Sequence, residues 1–314
     1  MRIVRDLAAL PDLPMVITVG AFDGLHRGHQ RVVGATVREA RQRDALATVI
    51  SFEPHPDAVL RGTPPPLLCD PAEREARLAA AGVDLLVRQH FDAAFAAQTA
   101  ETFVRRLAGN GGRLRALVMT PESAFGRGRE GNARTLGPLA VELGFAIVEV
   151  APLQVGGQRV SDSRIRELIV KGRLAAAGRL LGRRFALVGR VVHGDGRGQA
   201  LGFPTANLAF PAAVVLPPDG IYAVRTSWGG RDPLQARHHA PGVASLGVRP
   251  TFGGGERVLE VHLFDVQADL YGERLRLEFV RRQRGERRFR TVAALVGQMD
   301  RDAVRAREIL AHRT

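Results

Sequence analysis

The stretch "VGAFDGLHRGHQ" (19–30) places two imidazoles, His26 and His29, three residues apart behind a turn made of Gly20, Phe22, Asp23 and Gly24. Residues three apart share one helix face. Backbone N–H groups at a helix start lack partners and favour anions, so a phosphate is suited to that position. The chemistry this predicts is a cradle for the phosphates of a nucleotide. The same residues also fit a plain capping turn with incidental histidines. Neither GxGxxG nor GxxxxGK[ST] is present, which removes two common phosphate-loop readings.

Two more groupings carry chemistry. "HGDGRGQALGFPTAN" (193–207) supplies Gly194, Gly196, Gly198 and Gly202, followed by Thr205 and Asn207. Glycines let backbone N–H groups come close to phosphate. The neutral oxygens of Thr205 and Asn207 are two apart, on one face if extended, and suit Mg²⁺ beside a nucleotide. A glycine-rich hairpin with ordinary turn residues reads the same way. In "RVLEVHLF" (257–264), Leu259, Val261 and Leu263 fall on one strand face and Val258, Glu260 and His262 on the other. Glu260 is then either a solvated carboxylate or a base on an open face.

These groups need elements to hold them. "MVITV" (15–19) reads as a buried strand and "HQRVVGATVREARQR" as the helix after the turn. "LATVISFEP" (46–54), "VDLLVRQ" (83–89), "RALVM" (115–119) and "AIVEVAP" (146–152) read as further strands. Helices around 71–81, 99–108 and 135–144 lie between them. Alternation of this kind predicts a parallel α/β sheet with helices on both faces, with ligands beyond the C-terminal strand ends. "SFEPHP", with His55, follows such an end and is a weaker candidate beside a satisfied loop histidine. A helical stretch covers 161–183. From 184 short alternating strands separated by Gly, Pro and Asp predict an antiparallel barrel or sandwich, closed by a helix. The fold class is α/β plus β, with the boundary near 182–186. His238 and His239 read as an incidental loop pair.

A chain of 314 residues with 45% hydrophobic and 25% charged residues predicts two cores. The N-terminal stretch carries no signal-peptide pattern, since Arg5 and Asp6 interrupt it. No apolar run reaches the length of a membrane helix. Cys69 is the only cysteine, so an internal disulfide and a cysteine metal cluster are excluded and a reducing cytoplasm is expected. The net charge of +13 raises nucleic acid as a partner. However, Lys171 is the only lysine, and the arginine excess is spread along the whole chain. The densest run, "RRQRGERRFR" (281–290), has only Phe289 as an aromatic, a poor base-stacking surface. Small-molecule substrates are expected, without nucleic acid or membrane; oligomeric state is left open.

"GAFDGLHRGHQ", "SFEPHP" and "SDSRIRELIVKGRLAAAGRLLGR", then "GRVVHGDGRGQALGFPTANL", "DGIYAV", "GVRPTFGG", "LEVHLFD", "DLYGE" and "RGERRF", in that order, resemble the bacterial bifunctional riboflavin kinase/FAD synthetases over nearly the whole chain. The resemblance implies a Rossmann-like FMN adenylyltransferase domain at 1–183. It also implies a riboflavin kinase domain at 184–314, a small antiparallel barrel with a C-terminal helix. ATP and Mg²⁺ would serve both steps, with riboflavin, FMN and FAD as substrates and products. Glu260 would take the proton of the riboflavin 5′-hydroxyl, and Arg284 and Tyr222 would lie near the flavin. The glycines of 194–202 would hold ATP, and Thr205 and Asn207 the metal. His26, His29, Ser161, Ser163 and Arg166, with the turn at Gly20–Gly24, would hold the phosphates during adenylyl transfer.

Three positions depart from the family pattern. Asp162 stands where a serine is usual, and Ser245 where an asparagine is common. Thr120-Pro121-Glu122-Ser123-Ala124-Phe125-Gly126 replaces a loop that usually opens on glycine and carries an aromatic at the fourth position. Slower or weaker adenylyl transfer is therefore expected. A kinase that has lost that step, or a basic nucleic-acid-binding protein, are the competing readings.

Overall fold

The computed structural model describes residues 1–109, 112–194, 196–210, 213–248 and 257–312. Asp195 and most of "GVRPTFGG" lie outside them. The chain divides into two compact units, residues 1–66 with 74–161 and residues 67–73 with 162–314.

In the first unit, β1 (Arg2–Val4), β2 (Met15–Val19), β3 (Leu46–Glu53), β4 (Leu85–His90), β5 (Leu114–Met119) and β6 (Ala146–Glu149) form one sheet in the order β1-β4-β3-β2-β5-β6. Every pairing is parallel. Alternate residues feed two cores. Met15 and Ile17 pack with Phe103, Val104 and Leu136 on one face, while Val16 packs with Val32 and Ala35 on the other. Burial on both faces explains why these strands read as unbroken apolar runs. The helices are α1 (Arg27–Gln42), α2 (Pro56–Leu60), α3 (Pro71–Ala80), α4 (Ala93–Ala96), α5 (Ala100–Ala108) and α6 (Ala133–Leu143), with a small hairpin β7 (Gln154–Val155) and β8 (Gln158–Arg159). The first turn of α3 is compact with the second unit. The edge strand β1, three residues long, has too short a pattern to be read from sequence.

The second unit opens with α7 (Asp162–Val170) and α8 (Leu174–Leu181). The single helical stretch of the sequence is broken at Gly172, whose φ of +71° only glycine adopts freely. A Cβ there would lie 3.3 Å from Pro218. These helices are compact with the barrel, although the change in composition groups them with the first half. Then come β9 (Ala186–Val192), α9 (Arg197–Ala200), β10 (Ala206–Ala209), β11 (Gly220–Trp228), β12 (His238–Val248), β13 (Arg257–Leu263), β14 (Arg274–Arg284) and α10 (Val292–Ala311). The six strands close into a barrel, β10-β13-β12-β11-β14-β9, so the barrel alternative is the correct one. Inside lie Phe185, Tyr222, Leu246, Leu259, Leu277 and Phe279. His238 and His239 are not in a loop. They begin β12, opposite Trp228 and Ser227, and His238 stacks on Trp228.

Candidate active sites

In the first unit the chain runs from β2 through β3 and β4 to one side, then returns to β5 and β6 on the other. Strand order therefore reverses between β2 and β5, where open α/β sheets bind ligands. The loop leaving β2 is held at its start by Gly20 N–H donating to Ile50 O (3.0 Å). Ser51 Oγ donates to Ala21 O at 3.1 Å and Arg74 Nη1 to the same oxygen at 3.3 Å. Phe22 (φ 50°) and Leu25 (φ 37°) take a left-handed backbone that non-glycine residues rarely adopt. Both are buried, as are Asp23 and Gly24. These residues therefore build the turn rather than line an open surface.

That turn delivers His26 to the N-cap of α1, where its Nδ1 accepts the His29 N–H at 3.1 Å. The cap leaves the His26 ring proton on Nε2. The two rings stack at 3.7 Å between centroids, and the Phe22 ring meets His29 edge-on at 5.0 Å. His29 Nδ1 is buried without a hydrogen-bond partner among the described residues. Burial pushes the His29 imidazole down to about 3, so at neutral pH it is an uncharged ring. His26 and His29 are thus brought together at a helix start, as the spacing predicts. His55 caps the short α2, accepting Asp57 N–H at 3.1 Å. Ser161 ends the first unit, whereas Ser163 and Arg166 lie three apart on α7 of the second.

The loop after β5 is a closed turn. Ser123 Oγ accepts Thr120 N–H at 3.0 Å and pairs with Thr120 Oγ1 at 2.9 Å. Phe125 survives from the family pattern, and its ring meets Phe103 at 5.2 Å. Phe103, Phe95, Phe91 and Phe52 continue this contact chain back to β3. Sequence reasoning missed the chain because its members come from four separate stretches, around Phe52, Phe91 with Phe95, Phe103 and Phe125.

In the second unit two cavities share Thr205. One, of about 270 Å³, is lined by Gly194, Gly196, Thr205, Asn207 and Tyr271 among others. A Cβ at Gly194 would collide with the Asn207 side chain, and one at Gly198 with the Phe203 carbonyl and Thr205. The glycines are thus required because the loop closes directly onto both oxygen donors. Gly196 and Gly202 have φ of +68° and +82°. His193 stacks on Tyr271 at 3.8 Å, a pair the sequence reading did not single out.

The other cavity, of about 240 Å³, is lined by Thr205, Ser245, Glu260, Arg284, Phe289 and Asp302 among others. Register explains why. Asn207 lies opposite Glu260, Glu260 opposite Ser245, Ser245 opposite Ile221, and Ile221 opposite Arg284. One row thus crosses five strands, each step about 4.8 Å. Arg284 donates from Nε to both Asp302 oxygens at 3.0 Å, from Nη2 at 2.5 Å, and from Nη1 to Gly285 O at 2.9 Å. It forms a fixed end wall, and Asp302, invisible to the motif reading, is what fixes it. Tyr222 lines neither cavity. It is fully buried in the barrel, where burial raises its phenol, and its hydroxyl donates to the Pro218 carbonyl. The geometry therefore places Tyr222 in the packing of the barrel, outside both cavities.

Among the described residues no helix is long and apolar enough to cross a membrane. Residues 11–164 match the FAD synthetase family model and residues 181–310 the riboflavin kinase model. The bifunctional riboflavin kinase/FMN adenylyltransferase of Escherichia coli K12 is 38% identical over 98% of this chain and 96% of its own. The enzyme of the same description from Bacillus subtilis is 31% identical over 91% and 90%. A crystal structure from Streptococcus pneumoniae, described as a macrolide-efflux protein, superposes with a TM-score of 0.84 at 28% identity, covering 100% of this chain and 99% of that one. With both domain families present in order and relatives aligned end to end, the chain belongs to the bifunctional riboflavin kinase/FMN adenylyltransferase family.

Proposed function

We propose that the two units divide a two-step synthesis: riboflavin is phosphorylated by ATP to FMN at the barrel, and FMN is adenylylated by a second ATP to FAD and pyrophosphate at the parallel sheet. The observation that carries the first step is Thr205, the shared wall of a glycine-lined cavity and a cavity holding Glu260. ATP lies in the first, its phosphates against Gly194–Gly202 and its base near the Tyr271–His193 stack. Riboflavin lies along the cross-strand row in the second, bounded by Arg284. Glu260 takes the 5′-hydroxyl proton as that oxygen attacks the γ-phosphorus and ADP leaves. Phosphoryl transfer asks for alignment and charge neutralisation more than covalent help. The neutral donors Thr205 and Asn207, in a cradle that a Cβ would fill, fit Mg²⁺. Bound there with the nucleotide, it would neutralise phosphate charge.

In the second step the FMN phosphate, whose second pKa is near ~6, is already its own nucleophile. It attacks the α-phosphorus of ATP and pyrophosphate departs, without a general base. The site must hold anions and stabilise the departing charge. The His26 Nε2–H, the neutral His29 ring and the start of α1 serve that end, with Ser161 of the same unit assigned from the family pattern. The phenylalanine chain ending at Phe52 and Phe125 offers apolar faces for the isoalloxazine ring. Within the arginine-rich run Arg284 bonds Asp302 and Arg282 the Asp219 carbonyl at 2.6 Å, so these two serve the barrel, which favours small-molecule partners over nucleic acid. The single buried Cys69 fits a reducing cytoplasm. The test is incubation with riboflavin, ATP and Mg²⁺, with FMN and FAD quantified separately over time. FMN should appear first and FAD follow. FMN without FAD would leave only the kinase, and neither product would overturn the reading.

A further inference from the structure

Residues 67–73 fall inside the stretch matching FAD synthetase (11–164), yet they are compact with the barrel unit. Leu67 forms a parallel bridge with Val214. Its N–H donates to Ala213 O at 2.9 Å, and Val215 N–H donates to its carbonyl at 3.0 Å. Leu68 and Cys69 are buried. The Asp70 carboxylate accepts the Ala72 and Glu73 N–H groups at 2.9 and 3.1 Å, and Arg274 Nη2 at 2.7 Å. Glu73 is 2% exposed, with Arg276 at 3.2 Å and Arg183 at 3.9 Å, each only 13% exposed. Arg276 also meets Glu278 at 3.3 Å, and Glu278 meets Arg184 at 3.5 Å.

This is more than surface charge pairing. A buried carboxylate is tolerated only where partners compensate it, and removing one partner strands the other. Backbone pairing at Val214–Val215, apolar burial at Leu68 and Cys69, and two acids set on three arginines all act on the same seven residues. The arginines come from the end of the α8 segment and from β14. β14 pairs with both β9 and β11 and ends at Arg284.

We infer that residues 67–73 are an acidic strap of the riboflavin kinase unit, recognised by the arginine face of Arg183, Arg274 and Arg276, so that the two enzymes of this chain are interlaced in sequence. No single cut separates them: a fragment beginning at residue 184 leaves Arg274 without Asp70, and Arg276 without Glu73 and with Glu278 alone. The strap secures the barrel without touching either cavity. Its loss should therefore act on the kinase unit's stability and not on the chemistry of a folded molecule.

The test uses the full chain. Glu73→Gln should lower the temperature at which riboflavin phosphorylation is lost by about 5 to 15 °C. It should raise hydrogen exchange at the Val215 amide at least tenfold, while the kinase rate at low temperature stays within twofold. The pair Glu73→Gln with Arg276→Gln should lose less than the two single variants summed, since neither charge is then stranded. Should Glu73→Gln fail to fold, Asp70→Asn carries the test with a smaller shift in the same direction. Unchanged melting and exchange, strictly additive losses in the pair, or destabilisation confined to adenylyl transfer would overturn the inference.

Discussion

Glu260 shows how a single residue gains a role from its neighbours. On its own strand it is one polar position alternating with core leucine and valine. Across the sheet it sits between Asn207 and Ser245, in the wall of the cavity that shares Thr205 with the glycine-lined one. Glu260→Gln keeps shape and hydrogen bonding but removes the proposed base. FMN formation should fall about 10²- to 10⁴-fold, while FAD formation from supplied FMN stays within twofold; separate assays of the two steps check this. His29 makes a prediction of a different kind. Its folded value near 3 lies below the ordinary 6.5, so between those values the unfolded chain binds the proton more readily. Its contribution to stability is complete above pH 6.5 and is lost as pH falls toward 3. The thermal midpoint should fall more between pH 6.5 and 5 in the parent than in His29→Asn; parallel curves would contradict burial of the ring. At this scale the placing of His26 and His29 together at a helix start was legible from type and spacing, whereas Thr205 and Glu260 were singled out by the family resemblance, type and spacing alone leaving them open. Asp302 was not, being distant in sequence from the arginine it fixes. The burial of Tyr222 was not legible either, because packing inside the barrel is a property of closure, which no local pattern reports.

Among the elements, the loop after β5 carries the largest of the three departures from the pattern that the resemblance implies. Thr120 and Ser123 spend their hydroxyls on each other, and no aromatic occupies the fourth position. Loss of one stacking face costs ~1–3 kcal/mol, so restoring it by Thr120→Gly, Glu122→Asp and Ser123→Phe should raise FAD formation from FMN roughly tenfold. A rate and KM unchanged by the triple substitution would show that Phe125 and its aromatic chain already suffice. The strands and helices themselves were largely readable. Doubly buried strands announce themselves as β-branched runs, and β11 to β14 as alternation. What escaped was short or divided: the three-residue β1, β10 beginning inside "PTAN" and running to Ala209, and the helix break at Gly172. Each is fixed by tertiary partners more than by its own periodicity.

For the whole molecule, the boundary read from composition lies near 182–186, yet compactness assigns 162–181 and 67–73 to the barrel unit. Composition reports where strands replace helices, whereas compactness reports which side chains share a core. The central claim is that one chain holds two independent active sites joined only by a diffusible product. The most direct measurement mixes two variants that are each blocked at one step. Glu260→Gln should convert FMN but not riboflavin to FAD, and His29→Ala should stop at FMN. An equimolar mixture of the two, given riboflavin, ATP and Mg²⁺, should make FAD at a rate set by the intact kinase of one and the intact adenylyltransferase of the other. A mixture that makes no FAD, although each variant retains its own single step, would contradict the account.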